Sequence, residues 1–469
     1  MTMLKSESIK VKYRTWVEEK EERKLLYKAL ISLVVPIAIQ NLLGCLVNSA
    51  DILMLGYVGQ DELAAVSLAN QYVFILWGFF FGINSAATIM NSQYWGKGDL
   101  RTIQAVLGIA FKLCFALTFI VSLGCIFFPE ALMTLYTNDT TMISIGEKYL
   151  RTIGISYTLM SFSQAYQCTL RSVERAKKST VISTITVLTN VFLNAVFIFG
   201  LFHAPRLGVI GVAIATTIAR VIELVICAID YFSGSLFKPD FALLLGKHRE
   251  LSKDFVKYAG PALVNDLMWT LAFSSYSIVL GHLNADMVAA SSVATTLRDI
   301  FTTACFGIAT GGSVLIGKAL GANDLVKAKK DSKTLTVLTV LFTVLMSIVL
   351  ILLRHPLMSL FTLTKRAYDY LDIMMLISSY YIIGQTFNTL MIAGIFRAGG
   401  NTKFGMICDI IDMWFVSVPL SFIVAFVIKL PPMWVYFIIC LDEFWKVPFV
   451  IKYYRSYKWL NNITKENIV

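Results

Sequence analysis

Apolar runs long enough to cross a bilayer follow one another down this chain, separated by short polar stretches. A helix needs roughly 20 residues to cross the hydrocarbon, and Leu335–Leu353 carries no charge over nearly that length. The pattern predicts spans near 30–55, 64–94, 105–128, 149–170, 180–202 and 209–232. It predicts six more near 258–283, 289–317, 334–353, 369–395, 404–428 and 434–453. Pro36 and Pro261 are expected to begin matching spans, where a missing N–H costs little. Pro419 is expected to kink the eleventh.

The two sets of spans are copies. At an offset of 225, Pro36–Asp99 lies over Pro261–Asp324 without a gap. Leu55-Gly56 meets Leu280-Gly281, Gly82 meets Gly307, and Gly96 and Asp99 meet Gly321 and Asp324. One residue further out of register, Arg171 meets Arg397 and Lys177 meets Lys403. A repeat of this length within apolar sequence predicts a duplicated membrane bundle around a path between its halves, and hence transport. An even number of spans per half gives both the same orientation.

The expected organisation is a leader over 1–28, a first six-helix lobe over 29–232, a linker over 233–257, a second lobe over 258–453 and a tail over 454–469. The fold class is therefore all-α and integral to the membrane. The short loops at 56–62 and 284–288 tie the first two helices of each lobe into hairpins.

Charge fixes the orientation. The chain is 57% hydrophobic and only 15% charged, against about 25% charged in soluble domains. Its net charge of +11 does not point to nucleic acid, because Lys and Arg gather in alternate loops. Lys97, Arg101, Arg171, Arg175, Lys177, Lys178, the linker and the tail lie on one side. The other side holds Lys148, Arg151, Arg206, Arg354, Lys365, Arg366 and Lys429. This positive-inside bias places both termini in the cytoplasm and gives the basic loops to the bilayer surface. One signal peptide does not account for repeated spans. The eight cysteines lie in or at the ends of spans without a Cys-x-x-Cys pair, so they read as packing residues.

Candidate chemistry is confined to polar groups at membrane depth. Each costs several kcal/mol unless it meets a cavity or a partner. Asp51 shares its helix with Asn41 and Asn48. It suits proton transfer, because burial disfavours its charged form, and equally offers oxygens to Na⁺. Asn190 and Asn194 stand one turn apart, with Thr186 extending the stripe; they either bind a cation, with Asp51 and Asn190 as Na⁺ ligands, or join helices. Asp266 follows Asn265, with Trp269 one turn on, and fits either substrate binding or structure. Gln385 and Asn388 are spaced i,i+3. Arg220 and Glu223 are expected to pair, as are acids of the Asp442, Glu443, Lys446 group. These, with Asp409 and Asp412, read as structural. No nucleophile–base set and no P-loop are present, so neither an enzyme nor ATP use is indicated, and no cofactor is expected.

The string Pro36-x3-Gln40-Asn41…Asp51-x4-Gly56 resembles the first span of the multidrug and toxic compound extrusion (MATE) family, in its bacterial form. So do Gly82-Ile83-Asn84-Ser85, Gln93-Tyr94-Trp95-Gly96-Lys97-Gly98-Asp99, Gly317-Lys318-Ala319-Leu320-Gly321, Arg397-Ala398-Gly399-Gly400-Asn401-Thr402-Lys403 and Lys458-Trp459-Leu460. The resemblance implies twelve helices in two lobes about a cleft. It further implies export of organic cations or drugs in exchange for H⁺ or Na⁺, by alternating access, from a monomer in the inner (plasma) membrane.

It places Asp51 on the family's functional acid, Asn190 on the asparagine of the fifth span, and Asp266 on the acid of the seventh. Asn194 stands where one branch carries a second aspartate. Asp51, Asn190 and Asn194 are thus expected to couple the ion, and Asp266, Trp269, Gln385 and Asn388 to bind substrate. The alternative functions are a flippase for a lipid-linked saccharide and, further off, a channel or receptor.

Overall fold

Once the chain enters a bilayer, each backbone N–H and C=O must be satisfied within its own segment, and the helix is the local solution. The computed structural model describes residues 21, 24–44, 54–361 and 363–466, and among these it is helical with no strand. Asp51, Asn48 and Cys45 lie outside the described residues.

The first lobe runs α1 (Lys24–Gly44), α2 (Gln60–Lys97), α3 (Leu100–Phe127), α4 (Thr140–Ser172), α5 (Ala176–Phe199) and α6 (Gly208–Phe232). The second runs α7 (Arg249–Leu283), α8 (Ala285–Gly321), α9 (Leu325–Met358), α10 (Lys365–Asn388), α11 (Thr402–Val427) and α12, which crosses 432–455 in three pieces. Nine of these helices are long and apolar enough to cross a membrane. α4, α10 and α12 are the more polar remainder of the twelve-helix fold.

The repeat is legible in local structure. Asp99 caps α3 by accepting from the Thr102 N–H at 3.0 Å, and Asp324 caps α9 from the Lys327 N–H at 2.9 Å. Each cap satisfies a donor that the first helical turn leaves free.

Two expectations about proline resolve differently. Pro36 and Pro261 do not begin helices: the chain is already helical at Lys24 ahead of the first, and α7 starts at Arg249, so both lie well inside. Ahead of Pro36 the apolar run over 30–35 is itself helical, and ahead of Pro261 polar residues carry the helix back to Arg249, so α7 takes up the end of the linker stretch. Pro419 does disturb α11. Its regular turn Val418–Phe422 is flanked by wider π-helical turns at Ile411–Ser417 and Ile423–Val427, the adjustment expected where proline removes a donor.

The linker's short helix, Phe241–Leu245, packs on α3, where Gly108 lies too close to the Leu244 carbonyl to admit a Cβ. Both described ends of the chain lie at one end of the bundle, in a shared core with Leu26, Ala176, Val314 and Trp459. We call this the terminal face.

Candidate functional site

The two lobes meet through small residues. α2 and α8 are equivalent helices, and at the terminal face they cross with their glycines in contact. Gly96 sits against the Lys318 carbonyl and Gly321 against the Gln93 carbonyl, neither with room for a Cβ. Gly317 lies against Ser92 in the same crossing. Deeper in, Gly82 of α2 faces Leu263 of α7, and its repeat partner Gly307 of α8 faces Val34 of α1. Small residues let membrane helices approach until backbone meets backbone. Contact i to j is thus repeated as j to i, the signature of a twofold relation between the lobes.

Polar bonds close the same seam. Glu174, after α4, accepts from Trp95 Nε1 at 3.0 Å and from Lys318 Nζ at 2.5 Å. Arg397, after α10, donates to Asp266 at 3.1 Å and to Ser85 of α2 at 3.3 Å. Asp266 is therefore engaged in an ion pair that reaches the opposite lobe through Arg397. Its guanidinium side chain is only 12% exposed, against 29% for Asp266.

The chain's end adds a clasp. Gln93 donates to the carbonyls of Ala398 (2.7 Å) and Asn461 (3.1 Å) and accepts from the Ile463 N–H (2.8 Å). Lys97 donates to the Lys465 carbonyl at 2.8 Å, while the Lys465 ammonium pairs with Asp254. That bond to Asp254 raises the Lys465 pKa. Hydropathy does not reveal this docking, because the tail offers mainly its backbone groups, and the side chains that meet them lie hundreds of residues away.

In the first lobe, Asn190 and Asn194 form the expected stripe. Asn194 donates to Asn190 Oδ1 at 3.3 Å, and Asn190 donates to Thr216 of α6 at 3.1 Å. Both are buried. Arg220 and Glu223 pair at 2.7 Å as anticipated, and Glu223 also accepts from Gln167 of α4 at 2.6 Å. Gln40 of α1 donates to Ser183 at 2.7 Å, extending this network to α5.

In the second lobe the assigned residues divide. Trp269 packs against Phe273, with ring centroids 4.2 Å apart and the planes tilted by 45°. Gln385 and Asn388 are buried within the lobe. Asn388 donates to the carboxylate and carbonyl oxygens of Glu443; Asp266 turns instead to Arg397. Asp266, Trp269 and Asn388 thus each hold a different partner.

A cluster read in separate pieces is joined by the fold. Lys446 of α12 lies 3.0 Å from Glu443 on its own helix and 2.9 Å from Asp409 on α11. Asn265 of α7 donates to Asp409 at 3.0 Å. Sequence spacing identified the i,i+3 pair but not the partner on another helix. Among the described residues no group of three or more His, Cys, Asp or Glu is arranged to hold a metal ion, and all the described cysteines are free thiols.

Comparison with known proteins agrees with this architecture. The MatE family model matches twice, over residues 36–196 and 261–423, once in each repeat. The chain is 23% identical over 423 residues to the "Probable multidrug resistance protein YoeA" of Bacillus subtilis (strain 168), covering 88% of this chain and 90% of that one. It is 22% identical to the "Probable multidrug resistance protein NorM" of Thermotoga maritima, covering 96% and 97%. Among solved structures it resembles the "Outward-facing conformation of a multidrug resistance MATE family transporter of the MOP superfamily". That match has a TM-score of 0.83 at 18% identity, over 92% of this chain and 95% of that one.

Proposed function

The chain belongs to the MatE family, and on that premise we propose that it is a secondary antiporter. It exports organic cations or drugs in exchange for H⁺ or Na⁺ and works as a monomer in the plasma membrane. The terminal face is cytoplasmic, as the basic loops require. Relatives named for multidrug resistance support extrusion as the direction of transport.

The reciprocal contact of Gly96 with Lys318 and Gly321 with Gln93 carries the reading. A backbone-to-backbone crossing at one face seals the path between lobes there. A twofold pair of lobes sealed at the cytoplasmic end has a natural counterpart in which the seal opens and the other end closes, which is alternating access. The state described here is the one closed to the cytoplasm. Asp51, with Asn190 and Asn194, couples the ion in the first lobe. Asp266 and Trp269 meet the substrate near the seam, where a carboxylate and a ring face both favour an organic cation.

The deciding experiment is ethidium transport by the purified protein in proteoliposomes, with ΔpH imposed alone and a Na⁺ gradient imposed alone. Gradient-driven ethidium movement against its own concentration is expected. Movement that only ever runs downhill, under either gradient, overturns the antiporter.

A further inference from the structure

Four acids and one lysine are buried together inside the second lobe. Asp409 and Asp412 stand one turn apart on α11; Asp442, Glu443 and Lys446 belong to the middle of α12. Two of the acids are equipped to remain ionised. Asp409 receives Lys446 and Asn265, and Glu443 receives Lys446 and Asn388. One ammonium already compensates only one of those two charges.

The other two acids are not so equipped. Both oxygens of Asp412 are buried without a hydrogen-bond donor. Asp442 is 1% exposed; one oxygen accepts from the Glu443 N–H at 2.7 Å and the other has no donor. An ionised carboxylate without donors in the interior costs several kcal/mol, and an unpaired buried charge costs most. A neutral carboxyl avoids that cost and supplies an O–H of its own. A further observation points the same way. Tyr276 of α7 adds a buried hydroxyl to the electrostatic neighbourhood of Asp412 and Asp442.

Resting on the antiporter reading above, we propose that Asp412 and Asp442 form a proton-binding site inside the second lobe. The site is loaded in the state closed to the cytoplasm and emptied as the lobes move. The groups facing it are Asp409, Glu443 and Lys446, with Cys408 and Cys440 beside them, Tyr276 from α7, and Tyr380 and Tyr381 from α10. Arg298 of α8, itself buried, lies over the Tyr381 ring at 4.9 Å and is 3.7 Å from Asp299. The ligand is a proton and not a metal ion, since the described carboxylates do not converge as a metal site requires. A proton needs only one carboxylate oxygen and tolerates the lysine nearby. Loading neutralises one carboxylate; release restores a charge that the cluster must then hold against its neighbours.

The direct test is infrared difference spectroscopy of the full-length protein in nanodiscs, titrated with acid and base. The wild type is expected to give a carbonyl band of buried neutral carboxyls. Asp412→Asn and Asp442→Asn should each remove part of it, the double variant both parts, and Asp412→Glu should shift its part without loss. A wild type without the band, or a band the double variant leaves unchanged, overturns the proposal. The second arm is ethidium transport driven by ΔpH alone in proteoliposomes, where the double variant should lose the drive and Asp412→Glu regain it. Wild-type rates in the double variant count against the site. A wild type that moves ethidium under a Na⁺ gradient but not under ΔpH counts against a coupling role for the site, and one that moves none under either gradient sinks the antiporter reading; in both cases the band still decides whether the acids hold protons.

Discussion

Gly96 of α2 lies against the backbone carbonyl of Lys318 of α8 with no space for a Cβ, and Gly321 lies in the same way against Gln93. Each position is the repeat equivalent of the other, so one close approach is built twice. Adding a methyl group to either glycine forces the helices apart. Gly96→Ala and Gly321→Ala should each cost about 1–3 kcal/mol in the closed state, the usual range for overpacking. The loss should appear as a lower Tm and as greater labelling of a cysteine placed at Ser92. Wild-type Tm and labelling in both variants would show that the crossing is not tight.

Arg397 joins Asp266 to Ser85 across the lobes. Removing one partner leaves the other charge unpaired in a largely buried site. Asp266 keeps some exposure, so Asp266→Asn should destabilise by about 1–3 kcal/mol, below the range for fully buried pairs. It should also weaken export of cationic substrates more than neutral ones. Equal losses for both classes would assign the pair to the fold or the seam and not to substrate.

Asp51 is expected to be essential for coupling. Asp51→Asn keeps the shape and removes the titration. Normal expression with no ethidium efflux is the expected result in cells. Efflux at the wild-type rate would remove Asp51 from the mechanism.

The tail clasp should be insensitive to pH across the physiological range. Asp254 raises the Lys465 pKa above its ordinary value by hydrogen bonding to the ammonium. A raised pKa gives a contribution that is complete below the unfolded value, about 10.4, and lost as pH climbs through the folded one. Hydrogen exchange over 459–466 should therefore show constant protection from pH 6 to 9, in rates corrected for intrinsic exchange, and fall only in strong alkali. A step near neutrality would mean that another group holds the clasp. Gln93→Ala should loosen the segment at every pH, because it removes bonds to Ala398, Asn461 and Ile463 together.

Rocking of the lobes predicts a distance change on the side away from the terminal face. Spin labels on cysteines at Gln60 and Ala285, equivalent positions in the two repeats, should sample a near and a far separation. Ligand and ion conditions that drive turnover should change their proportions, since a ligand shifts an equilibrium only by differing in affinity for its states. One fixed distribution in apo, ion-bound and substrate-bound samples of an active protein would rule out rocking at that face.

Sequence by itself determined the parts of this protein that depend on composition and local order. Apolar runs mark the helices, because a bilayer leaves the backbone no other partner. The repeat survives as shared glycines and aspartates, because capping and close packing each demand a residue type: Asp99 and Asp324 cap, Gly96 and Gly321 pack. Arg220 and Glu223 were legible because three residues along a helix is already a distance in space. Tertiary structure alone decided what crosses between helices. It set Lys446 between Asp409 and Glu443, gave Asp266 to Arg397, and laid the tail on Gln93. It also gave Asn388 to Glu443, a partner that spacing along the chain does not name. Periodicity says which face of a helix is polar but not which face of which helix it will meet. That choice is made by the packing of whole helices, which brings together residues far apart along the chain.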